Sequence, residues 1–113
     1  MFLRDAFVDQ RILLALTAQR EGRDREARRE LERLLEADAD NVLANHLLGN
    51  MYFHQGTLDL AIQRYRRALE SAPGFVACWY DLGVAYYHRG NMPESARAFG
   101  RCLEIEPSYN AAH

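Results

Sequence analysis

A chain of 113 residues, 49% hydrophobic and 27% charged, has the balance of one folded domain or a short repeat array. Its formal charge of −2 excludes a module that binds nucleic acid by neutralising phosphates, and equally a polybasic membrane-surface protein. Cys78 and Cys102 are the only cysteines, and no C-x-x-C pair occurs, which excludes a disulfide framework and a four-thiolate metal site.

The chain opens on residues 1–7, an apolar-rich lead (Met1, Phe2, Leu3, Phe7) expected to extend the first helix or to fold back over its neighbours. The longest apolar stretch, Ile12 to Leu16 and on through Thr17 and Ala18, falls well short of the ~20 residues a membrane helix needs. Charged residues flank it, and the pattern of a secretory leader is missing, so the expected setting is the cytoplasm.

Apolar residues recurring at spacings of three and four predict six helices and no sheet. The first of each pair covers Val8–Arg20, Val42–Gln55 and Val76–Arg89; the second covers Asp24–Ala37, Leu58–Ser71 and Pro93–Glu106. Leu58, Ile62, Tyr65 and Leu69 form one such apolar face. Gly22, Gly56 and Gly90 follow the first helices, where a left-handed cap suits glycine. Pro93 fits a helix start, whereas Pro73 and Pro107 end the second helices.

The helix pairs repeat. Leu48-Gly49, Tyr52, Gly56, Tyr65 and Pro73 recur 34 residues later as Leu82-Gly83, Tyr86, Gly90, Phe99 and Pro107. A weaker copy stands upstream at Leu14-Ala15, Gly22, Ala27, Leu31 and Ala39. The repeats are therefore 8–41, 42–75 and 76–109 of a single domain over 1–109, and 110–113 read as the truncated start of a further unit or a tail. Gly49 and Gly83 are expected to let paired helices approach opposite Ala61, Ala68, Ser95 and Cys102, with the aromatic residues filling the wider gaps.

Trp79, Leu82, Gly83, Tyr86, Ser95, Phe99, Cys102 and Pro107, with the matching set in the second repeat broken only by Asn45, resemble the tetratricopeptide repeat family over residues 8–109. The resemblance implies an all-α, right-handed superhelix of about three antiparallel helix-turn-helix units. It also implies that the first helix of each unit lines a concave groove that holds a protein or peptide partner. By register, groove residues are Ile12, Leu13 and Leu16, with Asp9, Gln19 and Arg20, in the first repeat. They are Leu43, His46, Leu47, Asn50, Phe53 and His54 in the second, and Ala77, Tyr80, Asp81, Val84, Tyr87 and His88 in the third.

Family members that clamp a partner's terminal carboxylate use Lys, Asn and Arg at positions where this chain has Ile12, Leu16, Leu47, Ala77 and Asp81. The resemblance therefore implies an apolar and aromatic groove rather than a carboxylate clamp. Starting one repeat later, His46, Asn50 and Asp81 match no better.

Other chemistries find little support. No nucleophile elbow, metalloprotease helix, phosphate loop or dinucleotide glycine pattern occurs, and all 14 basic residues are arginine, so lysine chemistry is impossible. The expectation is no catalytic residue, no cofactor and no metal site. His46, His54 and His88 read as solvated groove histidines, because a zinc site needs three or four converging ligands. Cys78 and Cys102 read as small buried apolar groups. Arg23, Arg25, Arg28, Arg29 and Arg33 alternate with Glu26, Glu30, Glu32 and Glu36, the pattern of an exposed helix laced with ion pairs.

The chain breaks off soon after the sixth helix, where Leu103 and Ile105 would pack on a next unit. This leads to an expectation of self-association into a homo-oligomer through uncapped ends, or of a fragment of a larger repeat protein with a separate functional domain.

Overall fold

The computed structural model describes residues 2–108, without the side chains of residues 2–5. It contains α1 (Phe2–Arg20), α2 (Asp24–Ala37), α3 (Val42–His54), α4 (Leu58–Ser71), α5 (Val76–Arg89) and α6 (Met92–Ile105), and among the described residues no strand. The expected unit starting at residue 110 lies outside the described residues.

Helix bounds follow the expected ones closely. The largest difference is α1, which starts at Phe2 rather than Val8, because no glycine or proline interrupts the lead. The described part of the lead thus extends the first helix. α6 begins at Met92, since the Asn91 side chain caps it by accepting from the Glu94 amide at 3.3 Å. Asn41 caps α3 in the same way, accepting from the Ala44 amide at 2.8 Å.

One turn is used three times. Gly22, Gly56 and Gly90 have φ of +78°, +80° and +88°. After each, the next residue's amide reaches back five residues, Arg23 to Ala18, Thr57 to Tyr52 and Asn91 to Tyr86, at 2.7 to 2.9 Å. These bonds satisfy carbonyls that the helix end leaves open, and they require the left-handed glycine between them.

The helices pack most closely as the hairpins α1/α2, α3/α4 and α5/α6, and successive hairpins pack through α2 on α3 and α4 on α5. The core falls into two clusters. One joins Ala15, Leu31, Leu34, Ala44 and Leu48; the other joins Ala61, Ile62, Tyr65, Leu69, Cys78 and Leu82. Cys78 and Cys102 are buried free thiols, as their faces imply.

The glycine packing differs from expectation. A Cβ on Gly49 would stand 2.7 Å from the Tyr65 ring, and one on Gly83 would stand 2.7 Å from the Phe99 ring. The glycines do not simply face small residues. Each makes the hollow in which the large ring of its partner helix lies. The small residues then bring the backbones together: the Ser95 hydroxyl donates to the Gly83 carbonyl at 2.8 Å.

Candidate partner-binding groove

Two contacts set the register of α3 against α5. The His46 ring nitrogen Nε2 lies 2.7 Å from Asp81 Oδ2. The rings of Phe53 and His88 meet edge to face at 5.5 Å. These contacts bring one side of α3 and one side of α5 to a common face.

The expected groove residues divide into two groups. Leu13 (64% exposed), Leu16 (39%), Leu43 (40%) and Tyr87 (58%) are open, as are His54 and His88. Ile12, His46, Leu47, Asn50, Phe53, Tyr80, Asp81 and Val84 are half-buried. Ile12 and Leu47 lean on the first core cluster, and Phe53 leans on the second. Tyr80 packs its ring on Phe99 at 5.6 Å. The open apolar surface is therefore narrower than the register alone implies, because several of its members also join helices together.

His46 departs from the expected solvated histidine. Its side chain is 11% exposed, bonded to Asp81, and set edge-on to Phe75 at 4.8 Å between ring centroids. The offset from His46 to Asp81 is 35 residues, one more than the repeat, which pairs repeat position 5 with position 6 of the next unit. Asn50 is likewise engaged, accepting from the Tyr65 hydroxyl at 2.6 Å. Polar atoms of the face are thus held in fixed orientations.

The Asp81 charge reaches the core behind the face. Burial first, and then the Asp81 carboxylate, push the Cys78 thiol up to about 12. Burial pushes the Tyr65 phenol up as well, with Asp81 and Cys78 adding to it. Burial also raises the Cys102 thiol. Both thiols are therefore protonated and inert at neutral pH. Among the described residues no group of three or more His, Cys, Asp or Glu could hold a metal ion.

Register did not anticipate the troughs on the far side of the molecule, between successive second helices. Between α2 and α4 lies a cleft of about 810 Å³, walled by Leu35, Leu48, Tyr52 and Ile62 and rimmed by Arg64, Arg67, Glu32 and Glu70. Between α4 and α6 the trough falls into parts of about 340 and 670 Å³. The smaller part is walled by Leu69, Leu82, Tyr86 and Trp79. Where the third repeat has Trp79 in the wall of its trough, the second has Asn45, which is fully buried and accepts from Arg64 Nη1 at 3.2 Å.

Residues 12–75 and 59–110 match the sequence model of the tetratricopeptide repeat. The chain belongs to the tetratricopeptide repeat family. Among solved structures, this tetratricopeptide repeat domain is similar to an O-GlcNAc transferase variant of Thermobaculum terrenum, with a TM-score of 0.86 and 30% identity over 94% of this chain but 20% of that one. It is similar to MamA, with a TM-score of 0.85 and 22% identity over 90% of this chain and 60% of that one. YrrB, described as a tetratricopeptide repeat protein with an unusual peptide-binding site, gives a TM-score of 0.83 and 22% identity over 93% of this chain and 54% of that one. The chain thus spans a fifth of the transferase and little more than half of the other two. None of the curated proteins matches it. The domain is a helical-repeat solenoid of the kind that serves generally as a protein–protein interaction scaffold. No helix among the described residues is long and apolar enough to cross a membrane.

Proposed function

We propose that the domain is a non-catalytic scaffold holding an apolar peptide or helix of a partner protein against the common face of α1, α3 and α5. The observation that carries this reading is the exposure of Leu13, Leu16, Leu43 and Tyr87 on that face. Large exposed apolar side chains that converge on one surface favour a partner that covers them. A carboxylate clamp is disfavoured, because Asp81 stands at a clamp position and repels an anion.

Leu13, Leu43 and Tyr87 are the right residues to test, because they are open, whereas Leu47 and Tyr80 also support the fold. Peptides selected on the wild-type domain from a random display library are expected to be rich in apolar residues. Leu13→Asp, Leu43→Asp and Tyr87→Asp together should weaken them about 100-fold or more while leaving helicity and melting unchanged. Unchanged affinity in that variant refutes the reading.

A second reading, structural assembly, is favoured by the outer flank of α6. Leu103 is 54% exposed and Ile105 is 38% exposed, whereas Leu69, one repeat earlier, is 6% exposed beneath α5. The other end is not a matching surface. Gln10, Leu14 and Thr17 stand where α3 places Ala44, Leu48 and Met51 against the preceding hairpin. Pairing through two α6 flanks is therefore favoured over end-to-end stacking. Molar mass from light scattering should rise with concentration, and Leu103→Asp should hold it at the monomer value. A strictly monomeric wild-type chain at high concentration counts against assembly.

A further inference from the structure

The face that α3 and α5 share is built mostly of apolar, aromatic and histidine side chains, and among its register positions Asp81 is the one carboxylate. On α5 it is bracketed by Ala77 and Val84, four residues before it and three after, which lie on the same stripe of the helix. The same position of the first two repeats holds Leu13 and Leu47. The third repeat thus places a charge where the others place a leucine.

This carboxylate is accessible and only half satisfied. Its side chain is 31% exposed, His46 Nε2 holds Oδ2 at 2.7 Å, and among the described residues Oδ1 accepts no hydrogen bond. Two exposed acids elsewhere have arginine partners, Asp40 with Arg67 and Asp59 with Arg89, whereas Asp81 has a histidine. A neutral His46 donates its Nε2 hydrogen to Oδ2 and leaves the negative charge in place. The His46 ring is set edge-on to Phe75, so it holds the carboxylate in a fixed orientation. A charge partly withdrawn from water among apolar neighbours is stabilised most by an opposite charge brought to it.

We infer that the partner segment held on this face carries a lysine or arginine between apolar residues, and that this cation pairs with Asp81. The inference rests on the reading of the face as a partner-binding groove, and it names the chemistry of the occupant. The aliphatic stem of a basic side chain suits the apolar surround, and its charged head suits the carboxylate. An acidic residue at that place is repelled, and a neutral apolar one covers Asp81 while leaving its Oδ1 unpaired. Apolar contacts are non-directional, so the single charge also fixes where along the face the segment sits.

The probes are the peptides selected on the wild-type domain from the random display library, resynthesised with blocked termini and with their basic residue as arginine, glutamine or glutamate. At about pH 8, where neutral histidine prevails, affinity for the full chain should fall about fivefold from arginine to glutamine and roughly tenfold or more to glutamate. Asp81→Asn, which keeps the size of the side chain, should bring the arginine and glutamine forms within about twofold of each other. That variant also alters the His46 contact, so Ala77→Arg provides a second test. It supplies an internal cation one turn from Asp81, leaves the carboxylate bonded to His46, and should likewise abolish the preference for arginine. Selected peptides without a basic residue, equal binding of the arginine and glutamine forms, or a preference that persists in both variants overturns the inference and leaves apolar capture standing. A library that yields no binder refutes the groove reading and this inference with it.

Discussion

Alanine at Gly49 should destabilise the domain by about 1–3 kcal/mol, whereas alanine at Gly83 should cost well under 1 kcal/mol. Both glycines sit inside helices, where alanine alone is worth roughly 1 kcal/mol in helix propensity. Both would bring a methyl group to 2.7 Å from an aromatic ring. The rings differ in freedom. Tyr65 is 2% exposed, its hydroxyl is tied to Asn50, and the Ala61 carbonyl closes the other side at 3.3 Å from the added carbon. Phe99 is half-buried on the outer hairpin and has room to turn. Leucine at Gly49 should prevent cooperative folding of the central hairpin. Thermal melts followed by circular dichroism check the order, and equal losses at the two glycines would contradict it.

The hairpins were legible because their signals are local. Glycine after each first helix, proline after the second and third hairpins, and spacings of three and four fix where helices start and stop. The repeat then fixes how hairpins stack, since Leu48 and Leu82 do the same work one unit apart. The face was only partly legible. Register identifies which residues share a side, yet whether a side chain is open or leans on its neighbour depends on the distance between helices. Leu13 and Leu47 both stand at repeat position 6, but Leu13 is open while Leu47 packs on the core. His46 was misread for the same reason, because its partner Asp81 belongs to another hairpin. The far-side troughs had no sequence signal, because the space between two successive second helices depends on how the hairpins stack and not on any one residue pattern.

Alkali should unfold this domain between pH 9 and 12. The cause is the pair of buried acids behind the groove face. Cys78 ordinarily titrates at 9.0 and Tyr65 at 10.0, and these values hold in the unfolded chain. In the folded chain burial and the Asp81 charge hold the Cys78 thiol protonated to about 12, and the Tyr65 phenol beyond that. The Cys78 thiol lies 3.5 Å from the Tyr65 carbonyl, to which it donates, so the protonated form is also the bonded one. Between the two sets of values the unfolded chain releases protons that the folded chain retains. Stability is therefore full below pH 9 and falls as pH rises, by about 1.4 kcal/mol per pH unit for each group past its unfolded value. At pH 10.5 the loss is on the order of 3 kcal/mol, which lowers the melting temperature by roughly 10 °C or more. With no lysine in the chain, no ammonium group titrates across this range to obscure the effect. Cys78→Ala should remove most of the part of the decline that begins at pH 9, leaving the share of the Cys102 thiol, which burial also raises, and the Tyr65 part, which begins a unit higher. A melting temperature that stays flat from pH 8 to pH 11 in the wild-type chain would show that neither acid is held protonated by the fold.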